Sequence, residues 1–176
     1  SWLHGNLLHI LFNMMWVRDL GSAMVDFVGA SRTIIIYTLS GVCGFLLSSF
    51  AGYALGGIPI PILHGASYTM GASASIFGLL GAMVHYGRKG GGSSFVTSTA
   101  TRYAVIMFVF GLIMPGVDNY AHAGGFAGGY VTSAYLKPST RERGDHMISA
   151  VLCAAATLVA LVFSVAHYLY LPAFRR

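Results

Sequence analysis

The sequence predicts an all-α polytopic membrane protein, and three observations carry that expectation. Of 176 residues, 56% are hydrophobic and only 9% charged, with a mean hydropathy of +0.70, whereas soluble domains carry about 25% charged residues. The apolar residues gather into six runs, and helices are the open-chain solution in lipid because they satisfy every backbone N–H and C=O within the segment. The formal charge of +5 comes from Lys and Arg scattered between those runs. A scattered pattern speaks for membrane topology and against a nucleic-acid partner, which would need a basic stripe on one face.

The runs fall at 6–28, 33–55, 71–86, 101–114, 119–136 and 147–171. The first holds Arg18 partway down, where either pairing with Asp19 or snorkelling relieves the charge. The second is long enough to span. The third and fourth are shorter: a helix over 71–86 covers about 24 Å of a hydrocarbon core about 30 Å thick, so its start should be recessed below the membrane surface. The fifth is rich in glycine, and the sixth is strongly apolar. Cys43 and Cys153 sit inside apolar runs without metal spacing and read as buried free thiols. The chain begins at Ser1 without Met or a signal-like basic segment, almost inside its first helix, so a fragment lacking an upstream segment is expected.

Direction follows from the charges. The connections 29–32, 87–92 and 137–146 contain Arg32, Arg88, Lys89, Lys137, Arg141 and Arg143, with Arg102 at the adjoining helix base. The alternate connections, 56–70 and 115–118, contain no Lys or Arg. The positive-inside rule makes the first group cytoplasmic and the second external, with the terminal Arg175 and Arg176 against the trend. In this orientation His4, His9, Ser73 and His122, from three helices, all lie toward the outer face. That common depth argues for a single site, since ionisable and polar groups are costly in hydrocarbon and by default mark function there.

Serine is a weak nucleophile until a nearby base takes its proton, and histidine suits that task. Ser73 and His122 are the natural pair. Gly71, Ala74, Gly78 and Gly81 form a small-residue stripe beside Ser73, and Gly125, Gly129 and Thr132 continue a stripe from His122 at the same spacing. Small faces let membrane helices approach closely; the plain alternative is that the stripes only pack and His122 is a satisfied core histidine. Ser73 also stands in the first turn of its helix, where unpaired N–H groups and the helix dipole suit an oxyanion. His9 and Asn13, four residues apart, share one helical face and can both donate to that anion. For Asn13 the alternative is an interhelical hydrogen bond, and for His4 an interfacial position without a catalytic part. Asp118, one turn before His122, is either a third member orienting the base or a helix-capping acid. Ser67, after His64 in a proline-containing loop, and Ser75, about 200° round the helix from Ser73, are not expected in the site. Gly-x-Ser-x-Gly is absent and no strands surround the serine, which excludes an α/β-hydrolase.

The run from His4 to Met14, with His9 and Asn13, resembles the second transmembrane helix of rhomboid intramembrane serine proteases. Gly71-Ala72-Ser73 with Ile76-Phe77-Gly78 is similar to that family's Gly-x-Ser-Gly nucleophile motif, with Ala74 replacing the final glycine. Ala121-His122 with Gly125 and Gly129 resembles its Ala-His-x-x-Gly-x-x-x-Gly base motif. The resemblance implies a rhomboid-like helical bundle whose first helix precedes this chain, with residues 1–136 as the catalytic core. It leaves 137–146 as a basic cytoplasmic loop and 147–176 as an additional transmembrane helix. It further implies that Ser73 attacks a peptide bond of a transmembrane protein substrate, that His122 shuttles the proton, and that His9, Asn13 and the Ser73 N–H hold the oxyanion. His4, Gly71, Phe77, Gly125 and Gly129 are implied in support, Phe77 by stacking on the base. No metal or organic cofactor is implied. The expected setting is a bilayer, specifically a bacterial inner membrane, with the active site toward the outer face. Two other classes are a catalytically inactive relative that binds or escorts membrane clients, and a transporter or channel with polar groups in a cavity. The presence of both Ser73 and His122 argues against the first, and the lack of an internal repeat against the second.

Overall fold

The computed structural model describes residues 7–55, 69–89, 94–114, 116–137 and 141–170. His4, His64, Ser67 and most of the connection before Ser73 lie outside them. The described residues form six α-helices and no strand: α1 (Leu7–Val28), α2 (Ala30–Leu55), α3 (Ser73–Arg88), α4 (Ser94–Ile113), α5 (Asn119–Tyr135) and α6 (Gly144–Tyr170). By length and composition α2, α4 and α6 are able to cross a membrane. The others fall short for physical reasons. In α1 the polar His9, Asn13, Arg18 and Asp19 lower the hydropathy, while α3 and α5 have only 16 and 17 residues. This is a mostly helical membrane fold.

Helix α4 begins at Ser94 rather than near Thr101. Its first two turns are rich in Ser and Thr, which reads as loop, but their hydroxyls bond back to the helix itself: Ser98 Oγ to the Phe95 carbonyl at 3.0 Å and Thr101 Oγ1 to the Thr97 carbonyl at 2.8 Å. Arg102 therefore stands two turns into the helix, not at its base. Arg18 pairs with Asp19 at 3.0 Å, which decides the alternative left open above. Cys43 is exposed and Cys153 half-buried, so the expectation of two buried thiols is corrected. Hydrophobic burial assigns both to the interior, but a side chain on the bilayer-facing side of a helix is equally apolar in its surroundings.

The centre of the bundle is α3, whose side chains from Ala74 to Tyr86 are almost all buried. It packs on α1, α2, α4 and α5, while among the described residues α6 packs on α2 alone and leaves nearly its whole surface free for lipid. Glycine sets the spacing of α2, α3 and α5. A methyl group added to Gly125 would fall on the Ala74 carbonyl, and one on Gly129 on the Gly78 carbonyl, so α3 and α5 meet backbone to backbone. On the adjacent face Gly124 meets the backbone of Cys43 and Gly44 of α2, and Gly128 meets the Cys43 side chain and Ser40. The Ala74 methyl is directed at Gly44 of α2, and only the Ala74 backbone meets Gly125. Hence the alanine in place of the motif glycine does not wedge α3 from α5, because α2 offers a glycine to receive it.

At the opposite end Gly29 alone joins α1 to α2, with φ +91°, a conformation that favours glycine. Glu142, 110 residues later in the chain, closes this corner by accepting from the N–H groups of Ser31 at 2.8 Å and Arg32 at 3.2 Å. It is a helix cap supplied from the connection to α6. Arg32 is not a connecting-loop residue: it lies within α2, only 2% exposed. Its guanidinium donates to the carbonyls of Val28 at 2.9 Å and Arg141 at 3.2 Å.

Candidate active site

Ser73 is the first residue of α3 and is half-buried; His122 is buried in the first turn of α5. Two contacts bring their helices together at this level. The Ala74 backbone lies against Gly125, less than one turn beyond His122. Phe77 stacks on the His122 ring, with centroids 4.2 Å apart and planes inclined by 14°. Residues i and i+4 share a helical face, so Ser73 stands one turn, about 6 Å, above Phe77 on the side of the helix that meets the imidazole. Phe77 thus fixes the plane of the ring beneath the serine.

The other nitrogen of that ring has a partner that sequence reasoning missed. His122 Nδ1 is 3.2 Å from Asn119 Oδ1. An amide oxygen can only accept, so Nδ1 carries the proton in this contact and Nε2 keeps its lone pair for a substrate or nucleophile. Asn119 itself is wedged against Gly111 of α4. Its position three residues before His122, on the same helical face, was the available signal.

Asp118 is the N-cap of α5: its Oδ1 accepts from the Ala121 N–H at 3.0 Å. Its other oxygen accepts from the hydroxyls of Ser48 in α2 and Thr69, four residues before Ser73. The capping alternative is thus the one observed, with two cross-links besides.

On the α1 side, Gly71 has φ +105°, which turns the chain into α3 and presses it against α1. A methyl group there would lie 2.8 Å from His9 Nε2 and 3.5 Å from Asn13 Nδ2. Both candidate oxyanion donors therefore flank the segment that leads directly into Ser73. Asn13 Nδ2 donates to the His9 carbonyl at 2.9 Å, which orients the amide and leaves its second hydrogen available. Among the sequence-predicted residues, Ser73, His122, His9, Asn13, Gly71, Phe77 and Gly125 gather at one end of the bundle. Gly129 lies two turns along α5, packed on Gly78, and serves the helix contact rather than the site. Ser75 is buried on the other side of α3, facing Gly41.

Comparison with known proteins gives a concordant result. A family model described as "Rhomboid domain" matches residues 1–139. The chain is 32% identical over 145 residues to "RHOMBOID-like protein 4" of Arabidopsis thaliana, covering 77% of this chain and 32% of that protein. It is 30% identical over 170 residues to "Rhomboid protease GluP" of Bacillus subtilis (strain 168), covering 94% of this chain and 30% of that protein. A further relative, 30% identical over 148 residues, is "Inactive RHOMBOID-like protein 8" of Arabidopsis thaliana, with 80% of this chain and 38% of that protein covered. The chain spans about a third of the length of these relatives.

Proposed function

Because this chain belongs to the rhomboid family, we propose that it is an intramembrane serine endopeptidase that cleaves transmembrane protein substrates with Ser73 and His122. The observation that carries the reading is the seating of His122: its ring is stacked on Phe77, one turn after Ser73, and is held at Nδ1 by Asn119, which leaves the Nε2 lone pair for proton transfer. Ser73 Oγ attacks the scissile carbonyl carbon as His122 Nε2 takes its proton. The oxyanion that forms is met by the Ser73 N–H and the side chains of His9 and Asn13. Collapse returns the proton from His122 to the leaving amine and leaves an acyl group on Ser73. Water, deprotonated by the same histidine, then releases the carboxylate and restores the serine.

The Lys and Arg distribution supports a site toward the outer face of the membrane, and the proposed setting is a bacterial inner membrane. Residues 1–136 form the proposed catalytic core; α6, which among the described helices packs on α2, is the proposed addition to it. A second reading, a client-binding protein without catalysis, is favoured by the inactive relative and opposed by the ordered base. One experiment separates the two. The full chain reconstituted in liposomes with a single-span model substrate should cleave it, and Ser73→Ala should bind it without cleavage. A wild-type chain that binds the substrate yet leaves it intact would select the second reading.

A further inference from the structure

The geometry points to Asp118 as a positioning residue that sets where the base stands relative to the nucleophile. Its carboxylate joins three segments: it caps α5 through the Ala121 N–H, one residue before His122, and accepts from Ser48 of α2 and Thr69 of the segment entering α3. Thr69 lies two residues before Gly71, whose positive φ carries the chain past His9 and Asn13 into Ser73. The same residue therefore ties down the first turn bearing His122 and the segment that passes His9 and Asn13 of α1 on its way to the nucleophile. Neither link is made by the glycine contacts, which join α3 and α5 only from Ala74 onward. The first turn of α5 also rests on Gly44 of α2 and Gly111 of α4, so loss of the carboxylate chiefly frees the segment entering α3 from that turn, and a misplacement of about 1 Å at reacting atoms can cost about 10²-fold in rate.

This inference rests on the proposed protease reading, and the test distinguishes the two. In liposomes containing the full chain and a single-span substrate, Asp118→Ser should keep the cap on Ala121 but be too short to reach Ser48 and Thr69. Its kcat should fall by about 10- to 100-fold with KM nearly unchanged. Ser48→Ala combined with Thr69→Val should reproduce that loss, and adding Asp118→Ser to the pair should lower kcat no further, because all three changes remove the same cross-link. Asp118→Asn, which can cap with its oxygen and donate to either hydroxyl, should recover most of the rate. A merely structural residue would lower the melting temperature of Asp118→Ser and leave kcat of the folded enzyme unchanged, and that result would overturn the inference. So would an Asp118→Asn enzyme no better than Asp118→Ser, or additive losses in the triple variant. A wild-type chain inert toward substrate would overturn the protease reading and this inference with it, whereas an active wild type with unchanged variants overturns this inference alone.

Discussion

Gly125→Ala is the substitution from which the packing account stands to lose most. A methyl at this position would lie 2.7 Å from the Ala74 carbonyl carbon and 3.0 Å from its Cα, and would fall closer still on the carbonyl oxygen. Carbon atoms rest at about 3.5–4.0 Å, so the two backbones must part by roughly 0.5–1 Å. Backbone atoms cannot turn aside as a flexible side chain would. Overpacking of this kind destabilises by about 1–3 kcal/mol. Because Ala74 adjoins Ser73 and His122 lies three residues before Gly125, the same displacement enters the separation of nucleophile and base almost undiminished, and about 10²-fold in kcat is the expected loss. Steady-state cleavage of a single-span substrate in liposomes reads the rate, and thermal unfolding in detergent reads the stability. Gly21→Ala, where a methyl meets nothing within 4 Å, is the control and should change neither. A Gly125→Ala enzyme with wild-type kcat and melting temperature would show that α3 and α5 do not meet at this point.

Asn13→Ala should lower kcat by roughly 10- to 1000-fold with little change in KM, since removal of one oxyanion donor typically costs about 10²- to 10³-fold and His9 and the Ser73 N–H share the charge; a raised KM at unchanged kcat would reassign Asn13 to substrate or helix contact. Asn119→Ala should reduce kcat by about 3- to 10-fold, the equivalent of one hydrogen bond of about 0.5–1.5 kcal/mol that orients the base, and an unaltered rate would leave Phe77 as the sole orienter. For topology, a chain with Cys43 and Cys153 replaced by alanine and one new cysteine should react with an external impermeant thiol reagent at Gly57→Cys and not at Gly144→Cys. The opposite labelling would turn the site toward the cytoplasm.

The helix order and the close approach of α3 to α5 were legible because both depend on local periodicities: apolar runs for the helices, small residues at i, i+3 and i+7 for the close contact. What escaped depends on partners far away in sequence. Glu142 caps α2 across 110 residues, and Arg32 looks like a loop cation until that corner is closed over it. Asp118 could be read as a cap, but its bonds to Ser48 and Thr69 need the fold to bring α2 and the pre-α3 segment together. The start of α4 was hidden for the opposite reason, as its Ser and Thr satisfy themselves locally. Ala74 stands where the family motif has glycine, and sequence spacing gives the face of a residue but not which glycine waits opposite it.

The central claim, that Ser73 is a nucleophile activated by His122, is tested most directly by a fluorophosphonate that labels activated serines, with the modified residue mapped by peptide mass spectrometry. The account predicts a single adduct on Ser73, absent from Ser73→Ala, strongly slowed in His122→Ala and retained in Ser75→Ala. Labelling of another serine, or labelling of Ser73 at the same rate without His122, would contradict it.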